Sequence, residues 1–272
     1  MKKGIVLLFL CANMAVMLHA QASKGNKSLD AKDFLGAKAA FEAALATDPN
    51  DAAALMGLAR YYAIPTNPGL NLDLAIENLG MAEKIYLNSD PKTKAKFEKE
   101  GVTQLNLSER RDRTEAAILE IAKKANTIAA YNEFIRRFPD SKVARPATTY
   151  RDNLAYKEAY AKATEETWNE FLKDYPQSER VPEATTLRNK VAAAAAMEKN
   201  TEESYQAFVK NYPEALEKPQ MQQRLNAVAF ENAKAINTTR AYQDYINRFP
   251  DSVFLSQAQE RRDALEALEG ND

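Results

Sequence analysis

The sequence is poorest in the side chains on which most enzyme chemistry depends. Among 272 residues there is 1 Cys, Cys11, and 1 His, His19. Both lie in an N-terminal stretch that reads as a secretory signal: Lys2 and Lys3, an apolar run from Ile5 to Leu18, then Ala20-Gln21-Ala22 as a small-x-small cleavage site. The run from Gly4 to Leu18 is 15 residues, short of the roughly 20 that span a bilayer, so cleavage near Ala22 is expected rather than anchoring. Cys11 follows Leu10 and is followed by further apolar residues, too deep in the segment for a lipobox cysteine, so a lipoprotein is not expected. The mature chain then holds no thiol and no imidazole. That excludes cysteine nucleophiles, Ser-His-Asp triads and zinc sites built on His or Cys.

Glycine is also scarce. There are 8, and none lies between Gly101 and Gly270, which excludes phosphate-cradling glycine loops from that stretch. Charge of one sign is lacking as well: Lys plus Arg number 37 against 38 Asp plus Glu. Removal of Lys2 and Lys3 with the signal leaves a weakly acidic chain with no basic footprint for nucleic acid. No second long apolar run follows Leu18, so no transmembrane segment is expected in the mature chain. Hydrophobic residues at 45% and charged residues at 28% are an ordinary globular balance.

What the chain does have is a period. Tyr131-Asn132-Glu133-Phe134, Trp168-Asn169-Glu170-Phe171, Tyr205-Gln206-Ala207-Phe208 and Tyr242-Gln243-Asp244-Tyr245 follow one another at 37-residue steps. The same step relates Thr127, Thr164, Thr201 and Thr238, then Phe138, Tyr175, Tyr212 and Phe249, each followed by proline, and then Ala122, Ala159, Ala196 and Ala233. Arg151, Arg188 and Arg262 share a further column, and Glu109-Arg110-Arg111-Asp112 echoes Glu260-Arg261-Arg262-Asp263, so half a unit is expected ahead of the first full one. Columns that hold one spacing identify a tandem array of supersecondary units.

Each unit reads as two helices. The threonine can cap a helix of about 11 residues, with basic residues such as Arg136 and Lys173 in its last turn and proline ending it. After Phe-Pro-Asp-Ser at 138–141, Asp or Ser is expected to cap a second helix of about 20 residues. Its inward face would carry Ala147, Leu154, Ala155 and Ala159.

Toward the N-terminus, Ala37-x3-Phe41-x2-Ala44-Leu45-x2-Asp48-Pro49 resembles the second helix of a tetratricopeptide repeat, and Leu55-x2-Leu58-Ala59-x2-Tyr62 resembles the first helix of the next. In that family's 34-residue register, small residues let two helices approach, and Phe41 with Tyr62 would fill the gap between them. A second repeat continues as Ala75-x3-Leu79-x2-Ala82, delayed by an insertion within residues 64–69. The 37-residue units resemble longer relatives of the same repeat, departing from it where Thr127 and Phe134 stand in place of alanine. Their Phe-(Ile/Leu/Val)-x-x-(Phe/Tyr)-Pro-(Asp/Gln)-Ser pattern is similar to repeats of bacterial cell-envelope proteins, including the tetratricopeptide lipoprotein of the outer-membrane β-barrel assembly machine.

The expected organisation is a signal peptide over 1–22, tetratricopeptide-like repeats over 23–87, a charged linker or bridging helix over 88–107, the 37-residue array over 108–269 and a tail over 270–272. The expected fold is an all-α, right-handed solenoid. Such an array acts by recognition along an extended surface. The resemblance implies binding from the first helix of a pair, which here presents Met56 and Arg60. In the array, Asp152, Asn189, Asn226 and Asp263 form a polar column able to hydrogen-bond an extended peptide. The competing reading makes this column and its arginine neighbours an inter-repeat ladder.

The aromatic column Tyr131, Trp168, Tyr205 and Tyr242 could stack on carbohydrate, but its alternation of three and four residues with the next aromatic describes a buried helical face. Carboxylates are plentiful, yet none is isolated as an acid-base pair. The resulting expectation is a non-catalytic adaptor of the periplasm or cell envelope, with no cofactor or metal, that binds a protein or peptide partner. A peptidoglycan- or polysaccharide-binding module is the alternative.

Overall fold

The computed structural model describes residues 21–269, so the signal segment lies outside the described residues except for Gln21 and Ala22. The described residues are all-helical, with no strand among them. The chain divides into two compact units, 1–151 and 152–272. The division falls inside a helix, not in the 88–107 segment.

The first unit holds α1 (residues 21–30), α2 (Phe34–Thr47), α3 (Ala52–Ala63), α4 (Leu72–Asn88), α5 (Pro91–Lys99), α6 (Gln104–Ala125), α7 (Ile128–Arg137) and the start of α8 (Ala144–Lys162). Phe41 is its fully buried centre, in one cluster with Ala22, Leu29, Ala37, Leu58 and Leu79. Helices α1 and α3 come so close to this ring that a Cβ on Gly25 would lie 2.5 Å from Phe41 Cε1, and one on Gly57 closer still. Two of the few glycines therefore serve close packing. Tyr61 is buried in the same cluster as Phe41; Tyr62 is half-buried, packs against that cluster and meets Tyr61 edge to face at 5.0 Å.

The insertion at 64–69 is held from inside. Buried Asn67 donates through Nδ2 to Tyr61 O at 2.7 Å and accepts from Gly69 N through Oδ1 at 2.9 Å. Asp90 caps α5 by accepting from Lys92 N and Thr93 N, and Gly101 at φ +81 follows the helix end. The charged 88–107 stretch thus contains a short helix with no fully buried residue. Phe97 still packs on the core, and the Tyr86 hydroxyl donates to Glu98 Oε1 at 2.9 Å.

The second unit holds the rest of α8, then α9 (Glu165–Asp174), α10 (Val181–Lys199), α11 (Glu202–Asn211), α12 (Lys218–Ile236), α13 (Thr239–Arg248) and α14 (Leu255–Glu269). From α9 to α14 each helix packs on the next in the chain. The helix starts of α7, α9, α11 and α13 recur at 37-residue steps, as do those of α8, α10, α12 and α14. Each short helix has 10 residues. Each opens on the expected threonine cap: Thr127, Thr164, Thr201 and Thr238 accept from the backbone N–H three residues on.

The long helices start differently from expectation. No side chain caps α10 or α12. In the turns before α10 and α14 a serine instead accepts from the N–H two residues later, Ser178 from Arg180 N at 3.2 Å and Ser252 from Phe254 N at 3.1 Å, whereas Ala215 stands at that position before α12. A hydroxyl so close to its own backbone closes the turn itself, and the helix starts beyond it.

The long helices end on a feature with the same period. Asn126, Ala163, Asn200 and Asn237 stand at 37-residue steps and all have left-handed backbone, with φ of 47, 51, 46 and 50°. Asparagine tolerates this conformation, and alanine does so poorly. Where asparagine is present its Oδ1 also accepts from the buried tyrosine five residues on: Tyr131, Tyr205 and Tyr242, at 3.4, 2.8 and 3.3 Å. Where alanine replaces it, the aromatic is Trp168, whose buried Nε1 has no partner. Ala163→Gly should therefore raise stability by about 1 kcal/mol, read as a higher urea midpoint at unchanged slope.

Candidate functional site

Burial sorts the candidate residues. The aromatic column is core, as its spacing predicts: Tyr131, Trp168, Tyr205 and Tyr242 are at most 3% exposed. Met56 is also buried, at 8%, within the central helix α3 of the first unit, and does not face a partner. Arg60, one turn on, is half-buried and pairs with Asp30.

The polar column does not form one surface. Asp152 and Asn189 are buried, at 5% and 7%, whereas Asn226 is half-buried and Asp263 exposed. Asn189 Oδ1 accepts from Nε and Nη2 of the adjacent Arg188 at 3.1 and 2.8 Å, and Asp263 pairs with Arg262 in the same way. Asn226 accepts from Gln222 Nε2 at 2.8 Å, while its backbone oxygen accepts from the Tyr245 hydroxyl at 3.2 Å. Asn189, Asn226 and Asp263 are thus each engaged by a side chain of their own helix.

Two members of the arginine column reach back within their own helix pair. Arg151 Nη1 donates to Asn132 Oδ1 at 3.3 Å and Arg262 Nη1 to Gln243 Oε1 at 2.8 Å, in each case back to the short helix 19 residues earlier. Arg188 reaches the next pair, lying 5.0 Å over the Tyr212 ring. The remaining links between successive pairs come from elsewhere. Arg180 Nε donates to Asn153 Oδ1 at 3.0 Å and stacks 5.2 Å over Tyr156. The Tyr212 hydroxyl donates to the Glu165 carboxylate, and Arg248 pairs with Glu202. First-turn glutamates thus serve both the helix dipole and the neighbouring pair.

These contacts shift tyrosine acidities. Burial, then the hydrogen bond to Glu165, pushes the Tyr212 hydroxyl up to about 12. Burial, then nearby Glu183, pushes Tyr156 up to about 12. Both therefore stay neutral through the physiological range.

The short helices carry a solvent-facing column. Asn169, Gln206 and Gln243 stand at 37-residue steps, each directly after a buried aromatic. Asn169 and Gln206 are exposed and Gln243 half-buried. Beside Asn169, the side chains of Glu165, Glu166, Glu170 and Lys173 line an open groove. The quartets Trp-Asn-Glu-Phe and Tyr-Gln-Ala-Phe already contain these amides, but the periodic aromatics beside them are the stronger signal. Among the described residues, no group of three or more His, Cys, Asp or Glu could hold a metal ion, and no helix is long and apolar enough to cross a membrane.

No protein-family model matches the chain, and no curated protein matches it.

Proposed function

We propose that the chain is a tetratricopeptide-like, right-handed solenoid of the periplasm or cell envelope that acts as a non-catalytic adaptor. Its mechanism is multivalent docking of a protein or peptide segment along the second unit. The observation that carries this reading is the pair of exposed carboxamides Asn169 and Gln206, one 37-residue step apart on short helices of identical length and cap. A carboxamide both donates and accepts, so a row of them matches the alternating groups of an extended backbone without selecting a charge. Equal spacing adds modest contacts into avidity. Burial of the aromatic column withdraws the residues on which carbohydrate stacking would have relied, which favours a protein ligand over cell-wall glycan.

A photo-crosslinking residue placed at Gln206 should capture one or a few proteins in intact cells. The same residue at Glu231, on the outer face of α12, should not. Asn169→Ala should reduce the capture at least threefold. Capture of glycan fragments, or equal capture from both positions, would overturn the adaptor reading of this surface.

A further inference from the structure

The first unit contains a cavity that the adaptor reading does not use. It has a volume of about 210 Å³ and is lined by Ala59, Ile64, Leu72 and Leu79 on its apolar side. Three arginines also line it: Arg60 from the last turn of α3, and Arg110 and Arg113 from successive turns of α6. Apolar cavities of about 150 Å³ hold a benzene ring, whereas sites for drug-sized ligands start near 300 Å³. The space therefore suits a body of roughly six carbons with one polar group.

The arginines are not equivalent. Arg60 is neutralised by Asp30, and Arg113 pairs with Glu109 at 3.3 Å. Arg110 has no ion pair among the described residues, and its Nε is buried with no hydrogen-bond partner. Burial lowers its pKa, and the charges of Arg60 and Arg113 lower it further. Three cations against two carboxylates leave one positive charge beside an apolar cavity. A buried guanidinium donor left unpaired costs stability, and a carboxylate is the group whose two oxygens fit its fork.

We propose that this cavity is a binding site for a small monocarboxylic acid, its apolar body inside and its carboxylate on Arg110. A monoanion balances the single excess charge. A phosphate dianion overbalances it and leaves oxygens against apolar walls with no donors. The proposal goes beyond the adaptor reading and stands if that reading fails.

Calorimetric titration of the full chain with sodium hexanoate should show saturable 1:1 binding. Hexan-1-ol, with the same body and no charge, should bind at least tenfold more weakly, and inorganic phosphate should give no saturable signal. Arg110→Met, which keeps the stem and removes the charge, should weaken hexanoate at least tenfold and leave the ligand-free protein as stable as before or more so. Arg113→Ala, at an arginine already paired, should change affinity less than threefold. Absence of hexanoate binding, equal binding of hexan-1-ol, or unchanged binding by Arg110→Met would overturn the assignment. Failure of Arg110→Met to fold would overturn it too, because it would make Arg110 a structural group.

Discussion

Trp168→Ala is expected to lower stability by about 3–5 kcal/mol, the range for truncating a large buried aromatic. Trp168 is 1% exposed. It sits in a cluster with Tyr156 and Tyr160 of α8, at centroid distances of 5.4 and 6.2 Å. The residual space cannot close without moving α8 against α9, so a cavity adds to the lost transfer energy. Far-UV circular dichroism in urea is the suitable measurement, because Trp168 is the only tryptophan and its fluorescence disappears with the substitution. Trp168→Phe makes an instructive companion. The indole N–H has no partner, so phenylalanine forfeits no hydrogen bond, and the expected cost falls to about 1–2 kcal/mol. A loss near zero for Trp168→Ala would mean that the column is not core.

The second large effect comes from removing 37 residues at once. Deletion of 177–213 joins Pro176 to Glu214 inside equivalent turns. Deletion of 165–201 joins Thr164 to Glu202 at equivalent caps. Both products should fold cooperatively, because from α9 to α14 each helix packs chiefly on its neighbours in the chain and the surviving neighbours present the same faces. They should not be equally stable. The first cut removes Asn200 and Tyr205 together, leaving Ala163 with Trp168. The second puts Ala163 before Tyr205, so a tyrosine hydroxyl loses its 2.8 Å acceptor and the alanine keeps its left-handed strain. A deficit of about 1–3 kcal/mol is expected for the second product, measured by urea titration of the two side by side. A molten product from both cuts would contradict the modular packing.

The helices themselves were legible because their signals are local. Threonine caps, prolines and the aromatic period each act within one turn, and the helices begin within a residue or two of where those signals put them. Three features were less legible. Ser178 and Ser252 have the composition of helix caps, yet a hydroxyl can satisfy its own turn equally well, and residue type does not decide between the two. The left-handed column was half-hidden because one of its four members is alanine. The burial of Asp152 and Asn189 was not legible because helical periodicity marks one buried face, whereas a helix packed on both its neighbours buries part of a second. Arg151 and Arg262 also meet partners 19 residues earlier, on the short helix of their own pair, which residue type alone does not announce.

The coupling of residues five apart across each joint bears on how such a chain can change by recombination. Asn200 with Tyr205, and Asn237 with Tyr242, are inherited together by any crossover in the Phe-Pro turn and separated by one at the threonine. Ala163 with Trp168 is the pair in which both partners differ from the rest, and there the buried indole N–H has no acceptor. Shuffled libraries of these segments should accordingly yield folded chimeras when the breakpoints lie in the proline turns, and the surviving sequences should retain each cap residue with its own aromatic.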